Sequence, residues 1–215
     1  SRNMLFHTRL AAEIEHNHFG RIGSTGSRLL SGNSAYAELV ESEIALFHEA
    51  ESCLIFNSGF DANYGLLSAI ARENHLLVLD EFVHASMHDG ARASKAEKHF
   101  FRHNDVAHLE GILAQSKHAL KFVAIESLYS MDGDFANLKE LVEICEKYNA
   151  NLIVDEAHAT GVIGENGEGL VQYLNLQNRI FARVITFGKA IGAHGACVLG
   201  SANLKSFLVN YCRPF

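Results

Sequence analysis

The sequence predicts an α/β domain in which a mostly parallel β-sheet is sandwiched by helices. Short, almost wholly apolar segments recur along the chain, and such segments are typical of strands that are buried on both faces. Amphipathic helical patterns lie between these segments, as in βα units. The 215 residues, of which 48% are hydrophobic and 20% charged, are enough for one globular domain with a sizeable core.

The predicted strands are six apolar segments, most of which run directly into polar residues. In chain order they are residues 53–57, 75–80, 122–127, 151–158, 183–189 and 196–201. The predicted helices cover residues 36–50, a segment opened by Gly59, and residues 138–148. In the first of these helices the spacing puts Leu39, Val40, Ile44 and Phe47 on one face.

Composition and charge exclude several classes of protein. The net charge of −7 argues against general nucleic-acid binding, which calls for a basic surface. No apolar run approaches the ~20 residues of a membrane span, and the polar first ten residues do not resemble a signal peptide. The four cysteines are far apart and lie in or beside apolar segments, which favours reduced thiols and the cytoplasm.

Polar residues follow the predicted strands, and in parallel sheets ligands bind beyond the carboxyl ends of the strands. These residues are 57–59, Asp80, 126–132, 155–158 and 186–189. A lysine at a strand end, partly desolvated and near an acid, is the usual arrangement for Schiff-base chemistry, so Lys189 is the first candidate. Burial is expected to lower the pKa of its amine.

Pyridoxal phosphate (PLP) needs an amine for its aldehyde, a carboxylate for its ring nitrogen, an anchor for its phosphate and a flat group against its ring. Lys189, Asp155, the turn at 57–60 and His84 can supply these four groups in that order. The turn precedes a helix, whose free amides favour a phosphate. We therefore predict PLP as the cofactor.

Seven motifs give the chain a resemblance to the α-oxoamine synthases, a branch of the fold-type I PLP enzymes. The motifs are GSTGSRLLSG (23–32), FNSGFDAN (56–63), DEFVHAS (80–86), FRHND (101–105), ESLYSMDGD (126–134), VDEAHATGVIGENGEG (154–169) and TFGKAIG (186–192). The resemblance implies the large PLP-binding domain of the aminotransferase-like fold over residues 35–215, preceded by an N-terminal arm over residues 1–34. It also implies a homodimer, and it places the family's C-terminal domain outside this chain.

The resemblance further implies a role for individual residues. Lys189 matches the lysine that carries the cofactor and moves the substrate Cα proton, and Asp155 matches the acid that pairs with the ring nitrogen. His158 matches a donor to the phenolic oxygen of the cofactor, and His84 matches the histidine stacked on its ring. Further cofactor contacts are matched by Gly59, Phe60, Ser130 and Thr186, the last near the phosphate.

Members of this family join an amino acid to an acyl thioester and release CO2. The motifs look most like those of members that use L-alanine and a pimeloyl thioester, with glycine-using and serine-using members as alternatives. Whether the thiol belongs to CoA or to a carrier protein is left open. The chain departs from the family pattern at Ala37, where most members carry histidine. A catalytically silent partner subunit is the alternative from another class.

Other patterns have simpler explanations than a second site. The HASMH segment (84–88) has the spacing of a zinc pair, with His16 and His18 nearby, but it lacks the glutamate of HExxH, so no metal is predicted. Asp132 and Asp134 are attributed to a turn around Gly133 because the other calcium-loop positions are missing. Arg28 is assigned to a substrate, a partner subunit or a helix cap, and Glu126 either orients His158 or ends its strand.

Overall fold

A computed structural model of the chain describes residues 26–215, which form one seven-stranded mixed sheet with flanking helices. The order of the strands across the sheet is β1-β7-β6-β5-β4-β2-β3. The strands are β1 (Ser52–Phe56), β2 (His75–Asp80), β3 (Glu97–Phe101), β4 (Leu120–Glu126), β5 (Ala150–Asp155), β6 (Ala182–Thr186) and β7 (Ala196–Gly200).

Seven α-helices and one 3-10 turn connect these strands in the described part of the chain. The helices are α1 (Ala35–Phe47), α2 (Gly59–Ile70), α3 (Ala85–Ala93), α4 (Val106–Gln115), α5 (Leu138–Lys147), α6 (Leu170–Tyr173) and α7 (Ala202–Tyr211). The 3-10 turn covers Gln177–Arg179. Several helices begin at a side-chain cap: Ser34, Ser58 and Ser201 each accept a hydrogen bond from the amide three residues on.

Four of the six strand pairings are parallel, which confirms the predicted mostly parallel sheet. The exception is β7, which runs antiparallel to both of its neighbours, β1 and β6. The antiparallel pair β6–β7 is closed by residues 187–195, a hairpin connection that carries Lys189. Within residues 26–215 the other consecutive strands that pair with each other are β2–β3, β4–β5 and β5–β6. Each of these pairs is joined by a longer connection that contains a helix.

The core lies where the central strands are covered on both faces. Leu77, Val78 and Leu79 of β2 are fully buried, as are Val123 and its two successors in β4. This continuous burial explains why the central strands have uninterrupted apolar sequences. The four cysteines are buried and free, as expected from their positions. No helix within residues 26–215 is long and apolar enough to cross a membrane.

The sequence prediction misses helices α3, α4, α6 and α7, and it extends β5 and β6 three residues beyond their observed ends at Asp155 and Thr186. Two further elements differ. Helix α1 ends at Phe47, before the predicted end at residue 50, and two residues of its predicted apolar face, Leu39 and Phe47, remain about half exposed. Strand β3 was not predicted, because it is an edge strand whose first four residues are exposed and include two charged ones. Charged side chains are typical of edge strands and hide the apolar pattern of a strand.

The predicted boundary between an arm and a domain at residues 34 and 35 stays a prediction. Residues 1–25 lie outside the described part of the chain, including His16, His18 and the first three residues of the motif at 23–32. The remainder of that motif forms a turn in which the Ser27 carbonyl accepts hydrogen bonds from the amides of Leu30, Ser31 and Gly32.

Candidate active site

The carboxyl ends of β4, β5 and β6 bring the central candidate residues together. Glu126 and Asp155 are the last residues of their strands and stand opposite each other in the parallel register. His158 follows β5 and Lys189 follows β6, and the Lys189 Nζ lies 2.6 Å from the His158 Nε2. The structure therefore joins residues 31 positions apart in one hydrogen-bonded pair at the predicted edge of the sheet.

Lys189 lies in an environment that favours its neutral amine. Its pKa is lowered mainly because the side chain is partly withdrawn from water, and the negative charges of Asp155 and Glu126 oppose this change without reversing it. The direction agrees with the expectation from burial. Desolvation, followed by the charge of Lys189, lowers the pKa of His158 to about 4, so its imidazole is neutral at pH 7.

Asp155 is 5% exposed and both of its carboxylate oxygens accept hydrogen bonds. Oδ2 accepts from the Asn63 Nδ2 at 2.6 Å, and Oδ1 accepts from the backbone N–H of Ala157 at 2.8 Å. A buried carboxylate with two donors is held in one orientation, because rotation would break both bonds. Asp155 is thus a fixed acceptor whose charge acts on Lys189.

His84 is tied to Asp155 through two further side chains. The Asn63 Nδ2 that reaches Asp155 also lies 3.1 Å from the Ser86 Oγ, and the Ser86 Oγ lies 2.8 Å from the His84 Nδ1. Asn63 and Ser86 are buried, whereas the His84 ring is exposed at the start of α3. Neither Asn63 nor Ser86 was assigned a role from the sequence, although both lie inside quoted motifs.

Glu126 is an additional buried acid at this edge of the sheet. Its pKa is raised to about 8, first by burial and then by the charge of Asp155, while the backbone N–H of His84 and the charge of Lys189 lower it in part. The two roles predicted for Glu126 are to orient His158 or to end its strand. Within residues 26–215 no hydrogen bond joins Glu126 to His158, and Glu126 is the last residue of β4, which supports the second role. Its carboxyl group is protonated at pH 7.

The start of helix α2 provides free backbone donors. The Ser58 Oγ accepts from the Asp61 amide, whereas the amides of Gly59 and Phe60 have no partner in the described part of the chain. Gly59 lies against Thr186, since a Cβ at Gly59 would stand 3.6 Å from the Thr186 Oγ1. Gly59 and Phe60 therefore share one locality with the end of β6, and the amides suit an anion.

Ser130 lies on the loop that follows β4. The Gly133 amide donates to the Tyr129 carbonyl at 3.0 Å and Gly133 has a φ of 72°, which confirms the turn predicted there. Ser130 lines a cavity of about 400 Å³ together with His158 and Lys189. The cavity thus brings together three of the predicted site residues.

A larger cavity of about 510 Å³ lies elsewhere, at the amino ends of β2, β3 and β4. Its walls include Leu76, Glu97 and His118, none of which was predicted as a site residue. Ligands of parallel sheets bind at the carboxyl ends of the strands, so the smaller cavity is the candidate active site.

Contacts within residues 26–215 bear on two other sequence interpretations. Arg28 forms an ion pair with Glu41 at 2.5 Å and hydrogen bonds with Asn33, so it acts inside this chain. No group of three or more His, Cys, Asp or Glu side chains within residues 26–215 is arranged to hold a metal ion. His84 and His88 are within that range, but His16 and His18 are outside it.

The residues present fit PLP on three structural observations. A desolvated lysine lines the cavity, a buried carboxylate with fixed orientation ends the neighbouring strand, and unpartnered backbone amides open helix α2. These are the groups that would hold the aldehyde, the pyridinium nitrogen and the phosphate. When bound, the cofactor would supply an electron sink for negative charge on the substrate Cα.

Comparison with known proteins shows the family. Residues 2–215 match the family model described as aminotransferase class I and II. The chain is 49% identical to 8-amino-7-oxononanoate synthase of Emericella nidulans over 205 residues, which cover 88% of the chain and 50% of that protein. It is 40% identical to the enzyme of the same name from Bacillus pumilus over 213 residues, covering 97% and 54%.

Solved structures give the same result. A serine palmitoyltransferase from Sphingomonas wittichii matches with a TM-score of 0.91 at 34% identity, over 99% of the chain and 54% of that protein. One from S. paucimobilis, solved with PLP and myriocin, matches with a TM-score of 0.90 at 34% identity, covering 98% and 54%. An 8-amino-7-oxononanoate synthase from Francisella tularensis has a TM-score of 0.77 at 26% identity, covering 97% and 57%.

The chain belongs to the class I and II aminotransferase family. Its fold is that of PLP-dependent enzymes. Its relatives are α-oxoamine synthases, which confirms the resemblance carried by its motifs. The chain spans about half the length of the curated relatives it matches.

Proposed function

We propose that this chain is the PLP-binding part of an enzyme that condenses an amino acid with an acyl thioester and releases CO2. L-alanine and a pimeloyl thioester, on CoA or a carrier protein, are the favoured substrates, as in the 8-amino-7-oxononanoate synthases of biotin biosynthesis. The observation that carries the proposal is the Lys189–His158 pair, 2.6 Å apart at the cavity, at the same edge of the sheet as the buried Asp155.

Lys189 has two tasks in this reaction. Its amine would hold the aldehyde carbon of the cofactor and, when free, would accept the proton from the substrate Cα. Both tasks need a neutral amine, and the withdrawal of the side chain from water increases the fraction of that form. His158, which is neutral, accepts a hydrogen bond or donates one at the same position.

Asp155 holds the proton on the ring nitrogen of the cofactor. It does this as a carboxylate whose orientation is fixed by Asn63 and by the Ala157 amide. An ionised acid at this position stabilises a positive charge on the ring, which strengthens the withdrawal of electrons from the substrate.

The remaining predicted residues position the cofactor. The amides of Gly59 and Phe60, with the hydroxyl of Thr186, would hold the phosphate of the cofactor. His84 would lie against the ring of the cofactor, and Ser130, which lines the cavity with His158 and Lys189, would donate a hydrogen bond to it.

A second candidate is condensation with serine, because the serine palmitoyltransferases match the fold with TM-scores near 0.9. The sequence relatives weigh towards alanine, since identities of 40–49% are to proteins named 8-amino-7-oxononanoate synthase. A glycine-using acyltransferase is the third possibility. A silent partner subunit is disfavoured because Lys189 and Asp155 are both present and in contact with suitable partners.

The proposal extends to assembly and location. We propose a homodimer, because Leu39, Leu46 and Phe47 leave an apolar surface on α1 that a second subunit would cover. The four free cysteines favour the reducing cytoplasm. The net charge of −7 argues against nucleic acid as a partner.

The test uses the full-length protein with PLP. We expect an absorption band of lysine-bound PLP, and after borohydride reduction the label maps to Lys189. Lys189→Ala loses the label and at least 10²-fold of the activity, whereas Lys139→Ala, which removes an exposed lysine of α5 outside the cavity, keeps both. Assays with alanine, glycine and serine against short, pimeloyl and palmitoyl thioesters then identify the substrates. A folded full-length protein without the band contradicts the proposal.

A further inference from the structure

A chain of three hydrogen bonds connects the buried Asp155 with the exposed His84 across two layers of the fold. It runs from the Asp155 Oδ2 to the Asn63 Nδ2 (2.6 Å), on to the Ser86 Oγ (3.1 Å) and then to the His84 Nδ1 (2.8 Å). Asn63 lies on α2 and Ser86 on α3, so the chain of bonds also joins these two helices to the end of β5.

The direction of each bond follows from the chemistry of the groups. An ionised carboxylate only accepts, so the Asn63 amide must turn its NH2 group towards Asp155. The second N–H of the same NH2 group then points at the Ser86 Oγ, which accepts it. The hydroxyl proton of Ser86 is thereby left for its other neighbour, the His84 Nδ1.

A second contact at His84 supports the same direction. The backbone N–H of Ser86 also donates to the His84 Nδ1, at 3.1 Å. If Nδ1 carried a proton, both the amide and the hydroxyl of Ser86 would be left without an acceptor. Ser86 is fully buried, and such an unpaired group costs roughly 1–3 kcal/mol, which disfavours that tautomer.

We propose that Asn63 and Ser86 are positioning residues that fix His84 in the tautomer with its proton on Nε2. The Nε2 atom has no partner within residues 26–215, so the arrangement presents an N–H donor on the exposed side of the ring. An acidic group of a ligand, such as a carboxylate, is the partner that this donor fits. The consequence for catalysis rests on the proposed function, whereas the tautomer rests on the protein alone.

The same two residues couple the electrostatics of the two sides of the cofactor position. Asn63 shares one NH2 group between Asp155 and Ser86, so a change at either end alters the bond at the other. One buried amide, that of Asn63, thus orients both Asp155 and, through Ser86, His84. These are the two residues that would hold the ring nitrogen and the face of the cofactor.

The test is nitrogen NMR of the full-length protein with ¹⁵N-labelled histidine rings, recorded before and after addition of PLP. The His84→Gln variant identifies the His84 signals by their loss. In the wild type we expect a proton on Nε2 and an unprotonated, hydrogen-bonded Nδ1. In Ser86→Ala we expect the Nδ1 signal to move towards that of an unbonded nitrogen and the tautomers to mix.

The matched control is Ser94→Ala, which removes another buried serine hydroxyl at the opposite end of the same helix, where it donates to the Ala91 carbonyl. This control leaves the His84 signals unchanged. Asn63→Ala should change them in the same direction as Ser86→Ala and weaken the retention of PLP about tenfold, because Asp155 loses a donor.

The proposal is overturned if wild-type His84 carries its proton on Nδ1, or if neither Ser86→Ala nor Asn63→Ala alters its signals. Should one variant fail to fold, the wild-type spectrum and the other variant decide. Absence of the lysine-bound PLP band in the wild type would contradict the proposed function and leave the tautomer result standing by itself.

Discussion

Glu41 and Glu126 are nearly equally buried, with exposures of 1% and 2%, yet the pKa values of their carboxyl groups move in opposite directions. Burial raises both. At Glu41 this is outweighed by hydrogen bonds from Arg28, Lys205 and the Ile55 amide, and the net pKa is lowered. At Glu126 the burial and Asp155 prevail, and the pKa reaches about 8.

The difference lies in the donors around each carboxyl group. Glu41 receives Arg28 and Ile55 on one oxygen and Lys205 on the other, so it ties the turn before α1 to β1 and α7. Glu126 has one oxygen without a partner and an acidic neighbour opposite it in the sheet. A buried acid that is surrounded by cations and donors, such as Glu41, stabilises the fold. A buried acid without them, such as Glu126, marks the candidate site.

The largest effect is expected from breaking the Glu41 cluster. Glu41→Gln leaves the charges of Arg28 and Lys205 without a counter-ion, and we expect a loss of about 2 kcal/mol of unfolding free energy, since both partners retain some contact with water. Denaturant unfolding at pH 7 measures it. The matched variant Glu126→Gln should show a gain instead of a loss, because at pH 7 the native carboxyl is protonated while that of the unfolded chain is ionised, which stabilises the unfolded state. Equal losses would remove the contrast between the two acids.

A pH series sharpens the comparison. Since the native pKa of Glu126 lies above its unfolded value of 4.5, the native state holds a proton that the unfolded state releases between about pH 5 and pH 8. Stability therefore falls as pH rises in that window, by about 1 kcal/mol per pH unit from this group.

Glu126→Gln should flatten this dependence of stability on pH. Glu41→Gln should keep the dependence between pH 5 and pH 8 unchanged. It should remove a stabilising effect of the ionised Glu41 carboxylate, which the wild type loses only as the pH falls below 4.5. Thermal or denaturant unfolding at intervals from pH 4 to pH 8 distinguishes the two. A Glu126→Gln curve parallel to the wild type would show that the carboxyl is ionised in the native state.

The smallest effect concerns a third buried acid, Asp80, which is matched by a histidine instead of permanent cations. His103 donates to Asp80 at 3.0 Å and to Asp134 at 2.9 Å; burial lowers its pKa, but these two acids raise it overall. The stabilisation is full below pH 6.5 and is lost as pH rises through the raised pKa.

We expect His103→Gln to cost about 0.5–1 kcal/mol at pH 6 and less at higher pH. Unfolding of both proteins at pH 6 and pH 9 measures the difference. A cost that does not change with pH would assign His103 to packing, since its ring also stacks on Phe82 at 4.5 Å.

The sequence predicts the central fold well because its central strands are covered on both faces and therefore read as apolar runs. It fails at β3, where exposure and charge remove that pattern, and it misplaces the burial of α1, whose apolar residues lie partly on the surface. Periodicity reports which residues share a face, but it does not report whether anything covers that face.

At the site, Lys189, Asp155 and His158 are predictable because Asp155 ends a strand and the other two closely follow one. Asn63 and Ser86 are not, since their role depends on a contact between residues 92 positions apart, which no local pattern records. The raised pKa of Glu126 is likewise a property of its surroundings: an acid at a strand end is visible in the sequence, but the missing donors around it are not.

The hairpin between β6 and β7 has a mechanical consequence. The Gly192 amide bonds to the Lys189 carbonyl, and the Ala193 amide to the Phe187 carbonyl, so the loop is braced internally as well as clamped by a strand on each side. Under the proposed function Lys189 would release a cofactor and bind it again, and the braced loop would hold its backbone in one place while the four-carbon side chain moves.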